Sequence, residues 1–219
     1  MKLFEAVSKY LKDQFSRLPE IYPWGFNLEN FPNRVYHKSG VNKYEQSRHL
    51  RDHIYNAIQK NSNLSEELQK WYVRDFGGVR GNSDETLNRY ITSDYQELLD
   101  LGTRGVASWS KILSVRNPKE YAIYDARVAL SLNSIQKIYS ISDRILFPQL
   151  PSRNTTFVLP TQEIIRQSDF FKTKNNKNYY SKYLEMLQFS VCNQQYFDIQ
   201  DAEMILFSNA EELSRVWRP

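Results

Sequence analysis

Apolar residues in this 219-residue chain recur three and four positions apart and almost never alternate, a pattern that confines it to helices. Leu3, Phe4, Val7, Tyr10, Leu11 and Phe15 trace the first stripe, and the breaker-rich LPEIYPWGFNLENFPN after it predicts that this helix ends before Pro19. Leu50, Ile54, Ala57 and Ile58 mark a second helix over 43–59. A third is expected after the cap candidates Ser62 and Asn63, running towards Phe76, where Gly77-Gly78 stops it. Ser83 suits the N-cap of DETLNRYITSDYQELLDL, whose early acidic residues complement the helix dipole; the stretch is one helix or a broken pair. Further helices are predicted from near Ser108 to Asn117-Pro118, from near Asp125, and over 163–171, 179–192 and 198–216. FPQLPSRNTTFVLP reads as irregular. The expected class is all-α.

The length suits one domain, or two closely packed helical lobes sharing a core, and a single compact unit over 1–219 is expected. Hydrophobic residues at 41% and charged residues at 25% are ordinary globular usage, so the chain should fold unaided. A net charge of +4 favours an anionic partner but does not choose nucleic acid. Fifteen tyrosines can stack on unpaired bases or fill a core. The single cysteine, Cys192, leaves no internal disulfide and no zinc or iron–sulfur ligand set. No apolar run reaches 18 residues and the first helix is amphipathic, so no membrane association and a cytoplasmic, monomeric protein are expected. Walker loops, nucleophile elbows and dinucleotide fingerprints are absent.

The segment from about 98 to 133, LLDLGTRGVASWSKILSVRNPKEYAIYDARVALSLN, holds the chemistry. In GTRGVAS the glycines permit positive φ and close backbone approach, and the first amides of the following helix lack intrahelical partners. Gly102, Thr103, Arg104, Gly105, Val106, Ala107 and Ser108 therefore suit a phosphate, or form an ordinary helix–helix connection. Asp125 in AIYDARVA stands immediately before a new helix. It can cap that helix with one oxygen and turn the other to a substrate, where an anion would stabilise an oxocarbenium-like sugar.

This segment resembles the helix-hairpin-helix and catalytic-aspartate region of the helix-hairpin-helix DNA glycosylases, especially their small prokaryotic oxoguanine-glycosylase-like members. Gly105-Val106-Ala107 is similar to the family's Gly-hydrophobic-Gly hairpin, departing at Ala107, and Ile123-Tyr124-Asp125-Ala126-Arg127-Val128 resembles the stretch around its aspartate. The resemblance gives Asp125 the catalytic role and Arg127 a place among the DNA-binding residues. The position of the lysine nucleophile in bifunctional relatives is occupied here by Trp109, as in alkylpurine-type monofunctional members. Lys111, the alternative nucleophile of a bifunctional enzyme, lies about 200° further round a helix, so it substitutes only with a changed register. The resemblance implies duplex DNA with a damaged or modified base as partner, oxidised or alkylated purine as substrate, no required cofactor, and a monovalent cation at the hairpin as an optional one.

Trp109, Tyr124 and Trp71 are the candidates for a base pocket, each with a core role as the alternative. Lys172, Lys174, Lys177 and Lys182, near Tyr179 and Tyr180, could follow DNA phosphates, but KTKNNKN reads better as a solvated loop. His49 and His53 lie one helical turn apart, and with His37 they mark no metal motif. Two other functions compatible with these residues are a noncatalytic helix-hairpin-helix DNA-binding module and a glycosylase that acts on modified bases of foreign DNA.

Overall fold

The computed structural model describes residues 1–33, 36–60, 62–174, 177–192 and 194–218. Its regular elements are all helical, with twelve α-helices and several short 3-10 or π turns among the described residues; the sole β feature there is an isolated parallel bridge between Ile145 and Thr173. The chain is thus all-α, and no helix among the described residues is long and apolar enough to cross a membrane. Contacts divide it into two units, one of residues 1–21 and 124–219, the other of residues 22–123.

The unit of residues 22–123 holds α3 (Lys43–Gln59), α4 (Ser65–Trp71), a π turn (Tyr72–Phe76), α5 (Asp84–Thr92), α6 (Tyr95–Asp100) and α7 (Val106–Arg116). The starts of α3, α5 and α6 follow the cap chemistry, whereas α4 has Leu64 as its N-cap, with no side-chain cap, and not the expected Ser62 or Asn63. Asn42 accepts from the Glu45 amide at 2.9 Å, and Ser83 accepts from the Thr86 amide at 3.2 Å. The stretch after Ser83 is a broken pair because Asp94 and Glu97 form a reciprocal capping box that starts a new helix inside it. Phe31, Leu50, Ile54, Leu68, Trp71, Tyr72, Phe76, Val115 and Ile123 make the core. Arg116, in the last turn of α7, donates to Gln69 Oε1 at 3.1 Å and to the carbonyls of Ser93 and Tyr90 at 3.1 and 3.4 Å. One guanidinium thereby satisfies the end of α5 and ties it to α4 and α7.

His53 sits half-buried in this unit, its ring 4.5 Å from that of Tyr36 and its Nε2 3.2 Å from Asn33 Nδ2. Burial lowers its pKa below the ordinary imidazole value. The unfolded chain then binds this proton more readily than the folded one, so stability should fall as pH drops through about 6.5 and level off above it. Urea midpoints at several pH values should show that slope in the wild type and a shallower one in His53→Gln.

The unit of residues 1–21 and 124–219 comprises α1 (Leu3–Phe15), α2 (Leu18–Ile21), α8 (Ala126–Ile138), α9 (Val158–Arg166), α10 (Tyr179–Val191), α11 (Ile199–Ser208) and α12 (Ala210–Ser214). Helix α8 runs through its centre and packs on α1, α9, α11 and α12. Burial around α8 is so complete that Ser131, Asn133, Ser134 and Gln136 are all inside, and each finds a partner. Asn133 and Gln136 exchange paired hydrogen bonds with the backbones of Phe147 and Ile145, at 2.7–3.0 Å. Ser131 donates to Leu206 O at 2.6 Å, and Ser134 accepts from the Trp217 indole at 3.0 Å. Polar residues on α8 thus hold an irregular segment that has no helix or sheet of its own.

Three boundaries differ from the sequence expectation. Helix α9 begins at Val158 instead of Glu163, because Pro160 lies in its first turn, where no intrahelical donor is required. The first helix does end before Pro19, but a short second one, α2, includes that proline near its own start. The helix expected over 198–216 is broken at Asn209, whose side chain donates to Ile205 O at 2.9 Å.

Candidate functional site

The hairpin lies in the unit of residues 22–123, between α6 and α7. Its turn is closed by Gly102 N donating to Leu99 O at 2.9 Å and Arg104 N to Leu101 O at 3.2 Å. Both glycines have left-handed φ, +59° at Gly102 and +68° at Gly105. Gly105 is the N-cap of α7, and no side chain caps this helix start. Thr103 and Arg104 are exposed and Gly102, Gly105 and Ala107 partly so, which leaves the turn accessible to an anion, while the Val106 and Ser108 amides donate to Thr103 O and Gly105 O within it.

Two of the proposed hairpin contacts face inward. Val106 is buried, and the Ser108 hydroxyl accepts from Asn82 Nδ2 at 2.8 Å, which fixes it against the loop before α5. That loop is itself held by Arg74, which donates to Asn82 O at 3.0 Å and pairs with Asp84 at 2.7 Å. Tyr90 lies beneath Gly105, where a Cβ would overlap its hydroxyl. Gly105→Ala should therefore cost about 2 kcal/mol or more, combining left-handed strain with displacement of Tyr90. Gly102 faces open space, and Gly102→Ala should cost only the strain, about 1 kcal/mol. Chemical denaturation of both variants checks the ranking.

The expected base-pocket residues are core residues. Trp109 is 0% exposed and its indole N–H donates to Arg104 O at 3.0 Å. Trp71 is 4% exposed, with its ring edge-on to Phe31 at 4.7 Å. Tyr124 is 0% exposed, donates to Pro148 O at 3.0 Å and packs on Tyr179, ring centroids 4.9 Å apart. Burial, with Tyr179 and Asp125 beside it, pushes the Tyr124 hydroxyl well above the usual phenol range. None of the three rings offers a face on which an extruded base could stack. Lys111 is likewise 5% exposed: its Nζ donates to Ala107 O at 2.6 Å within α7, and its stem lies against Gly77. This position does not present the amine as a nucleophile.

Asp125 belongs to the unit of residues 1–21 and 124–219 and caps α8. Its Oδ1 accepts from the Arg127 and Val128 amides at 2.9 and 3.0 Å, while Oδ2 accepts no hydrogen bond from the described residues. The side chain is half-buried at the positive end of a 13-residue helix. The Arg127 guanidinium lies between the Phe157 and Phe207 rings, 5.0 and 4.7 Å from their centroids. Such a clamp holds a cation without neutralising it.

The remaining candidates have structural partners. Lys172 pairs with Asp143 at 3.4 Å, Lys174 with Asp169, and Lys182 with Glu185 at 3.2 Å; Lys177 is exposed, and Asn175 and Asn176 of the same loop lie outside the described residues. His49 Nδ1 lies 2.6 Å from Ser39 Oγ, and no cluster of three His, Cys, Asp or Glu side chains suited to a metal occurs among the described residues. At the hairpin, Thr103 O accepts from Val106 N, Arg104 O from the Trp109 indole, and Gly105 O from the Ser108 and Trp109 amides. The supporting roles of Tyr90 and Asn82 left no trace in the sequence, since each lies far along the chain from the residue it braces.

No protein-family model matches the chain, and no curated protein or solved structure is significantly similar to it.

Proposed function

We propose that the chain is a monofunctional DNA glycosylase of the helix-hairpin-helix type, acting as a monomer on an oxidised or alkylated purine in duplex DNA. The observation that carries this reading is the division of labour at Asp125, with one carboxylate oxygen spent on the cap of α8 and the other uncommitted. In the reaction the duplex must release the target base from its stack before the glycosidic bond can be reached. The bond electrons leave with the base, which takes up a proton. Positive charge develops on the sugar, and the Asp125 carboxylate stabilises it. A water oxygen then attacks the anomeric carbon and loses its proton, leaving an abasic site. Thr103 and Arg104, exposed on the turn ahead of the α7 N-terminus, are the groups available to hold a backbone phosphate.

Two observations favour hydrolysis over a lyase step: Trp109 occupies the position of the family's lysine, and Lys111 is buried within its own helix. The test is base release from duplexes carrying oxoguanine, alkylpurine, uracil or hydroxymethylcytosine, with strands scored before and after alkali. Alkali-dependent breaks on one substrate are expected. A specific observation also favours a noncatalytic DNA-binding module: the three aromatic candidates for a base pocket are closed into the core. Salt-sensitive duplex binding with no release from any substrate would select that reading.

A further inference from the structure

A cleft of about 510 Å³ opens in the unit of residues 22–123, among the segment after Pro23, the first turn of α3 and the loop after the π turn. That volume falls among those of small-molecule sites, roughly 300–1,000 Å³. Its wall carries Lys38, Lys43 and Arg80 against one carboxylate, Asp75, a formal surplus of two positive charges.

The cations are positioned by groups that leave their charge intact. Lys43 Nζ donates to Pro23 O at 3.1 Å, and its stem runs past Gly25 at ordinary van der Waals distance. Lys38 Nζ donates to the Phe26 carbonyl and stands 4.4 Å from the centroid of the Phe26 ring. A carbonyl and a ring face orient an ammonium but do not neutralise it. Asp75 reaches Arg80 only at 3.8 Å, and the Arg80 side chain is 74% exposed. No other carboxylate among the described residues pairs with these three cations. Asn27 and Gln46 add amides to the wall. A concave wall of one sign concentrates counter-ions, and a terminal phosphate carries close to two negative charges at neutral pH.

We propose that this cleft binds the phosphate group of a nucleotide, with Lys38, Lys43 and Arg80 on the phosphate oxygens and Asp75 limiting affinity by repulsion. The group belongs either to a free nucleotide or to a DNA strand. The proposal uses neither Asp125 nor the hairpin, so it stands or falls separately from the glycosylase reading.

The full chain is titrated calorimetrically with adenosine monophosphate and with inorganic pyrophosphate at low salt. Saturable binding of at least one probe is expected. Lys43→Gln and Arg80→Gln should each weaken it about fivefold or more, and Asp75→Asn should tighten it several-fold. Lys177→Gln, which removes an exposed lysine of the other unit, should leave it unchanged. Melting curves show that each variant is folded. Competition by a short duplex identifies a strand phosphate as the ligand; binding of adenosine monophosphate without such competition identifies a free nucleotide. No saturable binding up to about 10 mM of either probe, or equal weakening by Lys177→Gln and Lys43→Gln, overturns the proposal.

Discussion

Replacing Asp125 by Asn should cut base release by about 10²- to 10³-fold while leaving stability within about 0.5 kcal/mol of the wild type. The fold tolerates the change because an Asn oxygen can take the Asp125 Oδ1 bonds from the Arg127 and Val128 amides, and Asn ranks with Asp as a cap. What disappears, under the glycosylase reading, is the negative charge that would stand beside the sugar as positive charge develops on it. Asp125→Ala removes charge and cap together, so it should match Asp125→Asn in activity but lose a further ~1 kcal/mol of stability. Single-turnover assays and urea denaturation on both variants separate the two roles. If Asp125 were a cap and nothing more, release would be the same in Asp125→Asn and wild type, and Asp125→Ala alone would be affected, through stability.

Helix starts were legible in the sequence because their chemistry is local. Ser83 and Asp125 each accept the cap bonds that their positions predict, on amides no more than three residues away, whereas Ser62 and Asn63 are not the N-cap of α4. The interior of α8 was not legible for the opposite reason. Ser131, Asn133, Ser134 and Gln136 are polar residues, yet all are buried, since their partners belong to the backbone of 145–147 and to Leu206 and Trp217. Only the folded chain brings those groups together. Helix α9 was mistimed because FPQLPSRNTTFVLP, which ends at Pro160, was read as irregular, although a proline is harmless in a first turn.

At the candidate site, residue type alone was ambiguous. Indole and phenol rings suit a base pocket and a core equally well, and their hydrogen-bonding ends find backbone carbonyls in either setting. Tyr124 meets Pro148 O and Trp109 meets Arg104 O, both contacts with no sequence signature. The glycine turn was readable as a turn, but its precision depends on Tyr90 beneath Gly105 and Asn82 on Ser108. The basic cleft escaped notice because Lys38, Lys43 and Arg80 are dispersed along the chain and only converge in space.

Trp109→Ala should be the most destabilising single change at the site, costing about 3–5 kcal/mol, because it empties a fully enclosed indole from α7. Against a typical stability of about 5–15 kcal/mol, that loss would shift the urea midpoint far and leave some of the chain unfolded near physiological temperature. Trp109→Phe separates packing from hydrogen bonding. It keeps most of the buried ring but leaves Arg104 O without its indole donor, a loss of about 1 kcal/mol for the bond on top of any repacking. Because that carbonyl sits in the turn that carries Thr103 and Arg104, the same variant should also weaken duplex binding a few-fold, with little change in the rate of base release at saturating DNA. A Trp109 that stacked on the extruded base would give the reverse pattern, with near-normal stability in Trp109→Ala and a large loss of release in both variants. The indole is buried and bonded to the turn, so its role under the glycosylase reading is to fix the phosphate clamp, and binding is the step its substitution should disturb.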